Sequence, residues 1–195
     1  MEVVIVQENR DSEERRNEFV AAAEKLFKEN GIVDTTINSI VKEMDVAKGL
    51  FYYYFKSKDD VVEAISEKYN EVFNEMLRFS MDQPAYTYEE RLKQFVDNSV
   101  TSFRELNGNL QGQDEDVDLS QLSQRSLEEA KAAAIEGLTE LFEEGMANGE
   151  MHFEHPRYYA NILISGIVEL IQQQEAADDE IRFIIWDLIE RAGKD

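Results

Sequence analysis

Hydrophobic residues recur along this chain at spacings of three and four, which place side chains on one face of an α-helix. The first stripe predicts a helix from about Ser12 to Asn30. Gly31 should end it, because glycine tolerates the left-handed conformation found after helix C-termini. Either Thr35 or Thr36 can cap a short second helix with its hydroxyl oxygen. No segment alternates with a period of two, so the pattern predicts an all-α protein.

A tight turn at residues 44–46 separates the second helix from a third, which we expect over about residues 47–53. Ser57 and Asp60 then form an S-x-x-D capping pattern that opens a fourth helix. This helix must end before Pro84, because proline disrupts a helix interior. The remaining stripes predict four further helices, which begin near residues 87, 119, 156 and 178.

The last two predicted helices are apolar around much of their circumference. Their apolar residues are Ile162, Leu163, Ile164, Ile167, Val168, Leu170, Ile171, Ile181, Ile184, Ile185, Leu188 and Ile189. Helices of this kind need burial on more than one face. They are either central core helices or helices that pair with another copy of the chain, and the pattern favours a homodimer.

The composition of the chain excludes several classes of protein. The chain has 195 residues, a net charge of −22, 43% hydrophobic residues and no cysteine. This length suffices for one or two domains with a core, and the missing cysteines exclude disulfides and thiol catalysis. No apolar run approaches the roughly 20 residues of a membrane span, and the first residues do not resemble a signal peptide. We therefore expect a cytoplasmic protein without a membrane partner.

The negative charge is unevenly distributed along the chain. Residues 1–60 contain 9 Lys and Arg against 13 Asp and Glu, whereas the remaining residues contain 11 against 29. Because an acidic surface repels nucleic acid, any DNA contact must be local and must use the N-terminal part. Residues 35–60 are the best candidate, since they combine lysines with three consecutive tyrosines on one short helix.

The second and third helices have the spacing of a helix-turn-helix, in which the second helix of the motif enters the major groove of DNA. Lys48 can reach a phosphate or a guanine edge, and Gly49 permits close approach of the backbone. Lys58 begins the next helix, where the helix dipole favours an anion. Phe51 and Phe55 are expected to face inward, which leaves tyrosines between them to face DNA.

Three segments resemble one family. V-A-K-G-L-F-Y-Y-Y-F-K-S-K-D-D at residues 46–60 closely resembles the recognition-helix signature of TetR-type transcriptional repressors. F-x-x-N-G-I-x-x-T-T-I-x-x-I-V-K-E, from Phe27 to Glu43, fits the first two helices of that family. E-E-G-M-A-N-G-E-M-H-F-E-H-P at residues 143–156 resembles a turn between two of its later helices.

This resemblance implies a homodimer of subunits with about nine helices. Residues 1–56 would form a three-helix DNA-binding domain, and residues 57–195 an effector-binding domain that dimerises through its last two helices. The expected partners are a (pseudo)palindromic double-stranded DNA operator and a small-molecule effector, with no cofactor. The DNA contacts carried over by position are Thr36, Lys48, Gly49, Leu50, Tyr52, Tyr53, Tyr54 and Lys58.

The chain departs from the family pattern at three positions of the motif. Asp45 replaces the usual turn glycine, and aspartate tolerates a left-handed backbone better than most residues. Ala47 replaces a hydroxyl cap, a loss of typically about 1 kcal/mol. Leu50 replaces a usual threonine, so it would touch a thymine methyl group rather than form a hydrogen bond.

The resemblance also implies that an effector shifts the fourth helix and so changes the separation of the two recognition helices. Simultaneous docking in successive major grooves requires about 34–36 Å between them. The candidate pocket residues are large side chains of the later helices: Met76, Phe95, Phe103, Phe142 and Tyr159. Each of them has ordinary core packing as its alternative role.

Catalytic and metal-binding motifs are weak or missing. His152, Glu154 and His155 lie close in sequence, but a solvated turn explains them better than a metal site, since no cysteine or third histidine exists. No phosphate-binding loop, nucleophile elbow or paired E-x-x-H motif is present, so we expect no enzyme. The alternative to a DNA-binding regulator is a helical protein-interaction module with a degenerate helix-turn-helix.

Overall fold

The computed structural model describes residues 2–112, 118–174 and 176–193, and these residues form helices without any strand. The predicted all-α class is confirmed, with eight helices in the described part of the chain. They are α1 (Glu2–Asp34), α2 (Ile37–Glu43), α3 (Lys48–Tyr54), α4 (Lys58–Met81), α5 (Tyr88–Asn109), α6 (Ser120–Ala147), α7 (Pro156–Gln173) and α8 (Asp178–Gly193).

The first helix differs from its prediction at its start. The backbone is helical from Glu2, ten residues before the expected start at Ser12. No glycine or proline interrupts residues 2–30, so nothing in the sequence stops the helix from extending in that direction. At the other end, Gly31 has φ 80° and ψ 162° and breaks the regular helix, as predicted.

The chain divides into two compact units. The first contains Met1–Lys68 with Leu110–Gln124, and the second contains Tyr69–Asn109 with Arg125–Asp195. The helices α4 and α6 each have residues in both units. These packing units do not coincide with the expected functional domains, and the domain boundary after residue 56 stays a prediction.

Aromatic side chains form the core of the first unit. Phe19 of α1 meets Phe51 of α3 edge-to-face, with ring centroids 5.8 Å apart, and Phe55 lies 5.7 Å from Phe51. All three are buried, together with Ile40 of α2 and Val61 of α4. Edge-to-face packing is the geometry that aromatic quadrupoles favour. It fixes the short α3 against the long α1, so the outer face of α3 has a firm support.

The second unit has a core of its own. Phe73 and Phe103 pack at 4.7 Å between α4 and α5, and Phe142 packs at 4.4 Å on Phe153, which follows α6. Arg91 of α5 forms a two-pronged ion pair with a glutamate of α6. None of the helices in the described ranges is both long and apolar enough to cross a membrane.

Candidate nucleic-acid interface

Two threonines with different roles position α2. Thr36 is the N-cap: its hydroxyl oxygen accepts from the N–H of Ser39 at 3.0 Å, and Ser39 Oγ accepts from the N–H of Thr36 at 2.9 Å. Thr35 instead is buried and donates its hydroxyl to the carbonyls of Leu26 and Gly31. The exposed Thr36 thus starts the helix, while Thr35 ties this start to the end of α1.

The turn between α2 and α3 is closed by backbone hydrogen bonds. The N–H of Val46 donates to Val41 at 3.0 Å, and that of Met44 to Ile40 at 3.2 Å. Asp45 has φ 53°, in the left-handed region. The expectation that aspartate would preserve this turn is confirmed. It also places an exposed carboxylate beside the start of α3.

The helix α3 has one buried and one exposed face. Phe51 and Phe55 are fully buried, which confirms that they face inward. Tyr52 is 51% exposed and Tyr53 is 74% exposed. Tyr54 is half-buried because its ring packs on Phe19 at 5.8 Å, so only part of it is accessible.

The N-terminal turn of α3 is exposed. Ala47 is the N-cap and provides no side-chain hydrogen bond. This loss was predicted, because alanine stands where the family has a hydroxyl residue. Lys48 and Gly49 are exposed, and Leu50 is half-exposed. The ammonium of Lys48 lies over the ring of Tyr52, 5.9 Å from its centroid. A cation, a glycine backbone and two aromatic rings are therefore presented together.

Among the side chains of the first unit that the structure describes, most cations are already paired with protein groups. Lys25 contacts Glu43 at 2.6 Å, and Lys68 contacts Glu24 at 2.7 Å. Arg16 lies over the ring of Phe55, at 5.2 Å from its centroid. Such cations have less charge to offer to a polyanion.

Three exposed lysines around α2 and α3 form no ion pair within the described residues: Lys42, Lys48 and Lys56. Lys48 was predicted from the sequence as a DNA contact, whereas Lys42 and Lys56 were not. Nothing in the sequence separates paired from unpaired lysines, because the partner of a lysine such as Lys25 belongs to a different helix. We call Lys42, Lys48 and Lys56 the lysine triad below.

Lys58 lies in a different environment from the one expected. Its ammonium is half-buried and donates to the backbone carbonyls of Ile32, Val33 and Thr35. A phosphate contact by this residue stays a prediction, and it would require these hydrogen bonds to be exchanged.

The five candidate pocket residues have different surroundings, and their role in a pocket stays a prediction. Phe95, Phe103 and Phe142 are fully buried in packed core, Tyr159 is partly exposed, and Met76 accepts a hydrogen bond from Ser102 at sulfur. A cavity of about 410 Å³ lies between α4 and α6, within the second unit. Its wall consists of Asn74, Leu77, Arg78, Met81, Asp82, Ala133, Glu136, Gly137 and Glu140, and none of the five is among them.

Large apolar side chains are exposed on α7 and α8. Ile162 of α7 is 68% exposed and Phe183 of α8 is 73% exposed. Tyr158, Ile184 and Leu188 add to this surface. Soluble proteins rarely expose so many neighbouring apolar side chains unless they bind a partner.

The N-terminal segment matches a known family. Residues 19–65 fit the model for bacterial regulatory proteins of the tetR family. Over 50 residues the chain is 50% identical to the HTH-type transcriptional regulator HbdR of Aromatoleum sp. (strain CIB), an alignment that covers 26% of this chain and 22% of HbdR. The chain thus spans about a fifth of that relative.

Other comparisons cover more of the chain, but at a lower sequence identity. The HTH-type transcriptional repressor NemR of Escherichia coli (strain K12) is 23% identical over 68% of this chain and 69% of NemR. The solved SmeT–triclosan complex superimposes with a TM-score of 0.67 at 19% identity, over 91% of this chain and 90% of SmeT. SmeT is the repressor of a multidrug efflux pump of Stenotrophomonas maltophilia. At this identity the superposition shows a shared fold.

Proposed function

We propose, from the premise that residues 19–65 belong to the tetR family of bacterial regulatory proteins, that this protein is a DNA-binding transcriptional regulator. It acts as a repressor that a small-molecule effector releases from a (pseudo)palindromic operator. The proposed DNA contacts are Thr36, Lys48, Gly49, Leu50, Tyr52, Tyr53, part of Tyr54, and the remaining lysines of the triad, Lys42 and Lys56.

One observation carries the proposal: the outer face of α3 presents a lysine, an open glycine backbone and two exposed tyrosines, although the chain is strongly acidic. Tyr53 is among the most exposed large side chains of the described residues, while Phe51 two residues earlier is fully buried. Hydroxyl and ammonium groups are suited to phosphate oxygens and base edges.

We propose that the apolar surface of α7 and α8 is the dimer interface. A two-fold interface uses the same patch on both subunits, so one self-complementary surface is sufficient. Two copies also provide two recognition helices, which a (pseudo)palindromic operator requires.

The cavity between α4 and α6 is our candidate for the effector site. Apolar Leu77 and Met81 lie beside polar Asn74 and Arg78 on its wall, a mixture typical of small-molecule sites. SmeT, a protein of the same fold, forms a complex with triclosan. Because α4 is continuous from Lys58 to Met81, a displacement at the cavity can be carried to its start.

Salt-dependent DNA binding tests the proposed function. Operators are first selected from a pool of random duplexes, and affinity is then measured by fluorescence anisotropy between about 50 and 200 mM salt. If the lysine triad of each subunit neutralises three phosphates, a dimer has a slope of log K against log salt of about −5. Lys48→Met should lower the magnitude of this slope by about 2, because each subunit loses one contact.

The control is Lys25→Met, which removes a lysine paired with Glu43 outside the triad and should leave the slope nearly unchanged. If no duplex is enriched and binding is absent at low salt, the proposed function fails. That result would favour the helical protein-interaction module.

Gly49→Ala should separate DNA binding from folding. A Cβ at Gly49 meets no atom within 4 Å, so alanine fits, and it should stabilise the helix by up to about 1 kcal/mol. The added methyl group projects from the face proposed to approach DNA, so operator affinity should fall at least about tenfold, or about 1.4 kcal/mol. Thermal unfolding and anisotropy measure the two effects.

Gly108→Ala on α5 is the matched control, because a Cβ there also meets no atom within 4 Å. It should leave operator affinity unchanged. Equal affinity of the Gly49→Ala variant and the parent protein would show that the backbone at Gly49 does not approach DNA closely.

A further inference from the structure

The cavity between α4 and α6 lies between two sets of contacts that hold these helices together. On one side, the side-chain amide of Asn70 on α4 donates to the carboxylate of Glu129 on α6 at 2.6 Å. On the other side, Arg91 of α5 donates to the carbonyl of Met81 at 3.2 Å and pairs with the carboxylate of Glu144 on α6. The wall residues of α6 run from 133 to 140, between the two contacts. Fixed contacts therefore bound the cavity on both sides.

The less exposed part of the cavity wall is apolar, apart from the amide of Asn74. Ala133 and Gly137 are four residues apart and lie on one face of α6, and their small size provides space. Leu77 and Met81 of α4 also line this space. An apolar part of a ligand can therefore be covered by both helices.

The exposed part of the wall is charged. It consists of Arg78, Asp82, Glu136 and Glu140. Glu136 is paired with Arg157 of α7 at 2.8 Å, whereas Asp82 and Glu140 form no ion pair with any residue that the structure describes. Three carboxylates thus face two guanidinium groups, which leaves one negative charge unbalanced at the cavity.

The chemistry of this wall favours one type of charged group on a ligand. A negative charge beside an apolar surface favours a cation with an apolar body. Carboxylates accept hydrogen bonds, and those to ionised groups are roughly twice as strong as neutral ones. A protonated amine has N–H donors for these acceptors, whereas a quaternary ammonium has none and is bound best by aromatic rings. None of the nine wall residues is aromatic.

We propose that the cavity binds a protonated primary amine with a short apolar body, and that this is the class of the effector. The ammonium group lies at Asp82 and Glu140, and the apolar body lies on Leu77 and Met81. This assignment rests on the proposed function, in which the cavity is the effector site. Because Asp82 directly follows α4 and Glu140 belongs to α6, an ammonium between them also connects the two helices.

Calorimetry with four compounds that share a hexyl chain tests the class of ligand on the free, full-length protein. The compounds are hexylamine, hexyltrimethylammonium, hexanoate and hexanol. Hexylamine should bind at least about tenfold more tightly than each of the others. Equal binding of hexyltrimethylammonium would overturn the proposal, because charge alone would then suffice. Tighter binding of hexanoate would overturn it in favour of an anion at Arg78, and so would the absence of hexylamine binding at millimolar concentration.

Glu140→Gln and Asp82→Asn remove one charge each and keep the shape of the side chain. Each should weaken hexylamine binding about tenfold and leave hexanol binding unchanged, because only the ammonium contact is lost. Both positions are exposed, so the Tm should not change. The matched control is Glu75→Gln, which is exposed on α4 but lies outside the wall and should bind hexylamine as the parent protein does. Parent affinity in both wall variants would place the amine elsewhere and overturn the proposal.

Operator affinity with and without saturating hexylamine tests the regulatory part. Release requires an affinity at least about tenfold lower with the amine, because an effector shifts an equilibrium only by its differential affinity for the two states. Hexylamine binding without any change in operator affinity would overturn the effector role and leave DNA binding intact. If the parent protein binds no DNA, the proposed function fails, and the selectivity of the cavity is still read from calorimetry alone.

Discussion

Ile162→Glu is expected to convert the protein from a dimer into a monomer and to abolish operator binding at concentrations that saturate the parent protein. Ile162 is 68% exposed on α7, so the substitution leaves the core of the subunit unchanged. In the proposed dimer the same position is buried, and the carboxylate is repeated on both subunits. Burying an unpaired charge costs several kcal/mol, which is enough to dissociate a typical interface.

The loss of DNA binding follows from the loss of the second recognition helix. Two linked modules bind a double site about 10²–10⁴-fold more tightly than one module does. Analytical ultracentrifugation gives the mass of the species in solution, and anisotropy with the selected operator gives the affinity. In this variant the mass should fall to that of a monomer, and the operator affinity should be lost with it.

Val72→Glu is the matched control for this experiment. Val72 lies on α4, is 57% exposed and receives the same added charge. This variant should remain dimeric and bind DNA nearly as well as the parent protein. Dissociation of Val72→Glu, or a dimeric Ile162→Glu, would place the interface outside α7.

Phe51→Ala should destabilise the helix-turn-helix by about 3–5 kcal/mol, because the ring is fully buried and the substitution leaves a cavity. The alanine also loses the edge-to-face contact with Phe19 and the contact with Phe55. A domain is stable by only about 5–15 kcal/mol, so much of the population would lose the orientation of α3. Chemical denaturation followed by circular dichroism measures the change.

Tyr53→Ala is the natural comparison, because it removes a ring of similar size from the opposite face of the same helix. Its free energy of unfolding should change by less than about 0.5 kcal/mol, as expected for an exposed position. Similar destabilisation by both substitutions would contradict the two-faced arrangement of α3.

Short sequence patterns correctly predicted where helices begin and end. The S-x-x-D pattern was correct: Asp60 accepts from Ser57 Oγ at 2.6 Å and from the N–H of Lys56 at 2.9 Å, and these hydrogen bonds lower its pKa. Likewise the glycine at 31 broke α1 where predicted. These features involve residues within a few positions of one another, so their geometry follows from local covalent and hydrogen-bonding constraints.

The start of α1 was harder to predict, and the five pocket residues stay a prediction. A helix without a stop signal extends as far as its backbone hydrogen bonds continue, so Ser12 was an unreliable boundary. The pocket residues were chosen by size, but size does not distinguish a ring that fills the core from one that borders a cavity. Phe142, for example, packs on Phe153 and borders no part of the cavity between α4 and α6.

The sequence alone determined the helical class, the helix-turn-helix and the division of α3 into inward phenylalanines and outward tyrosines. Periodicity and capping are properties of short segments, and a sequence displays them directly. Tertiary structure decided which cations are available, because Glu43 reaches Lys25 from another helix and the carbonyls at the end of α1 occupy Lys58. Residues far apart in sequence come into contact only after folding, and these contacts determine which lysines remain available to DNA.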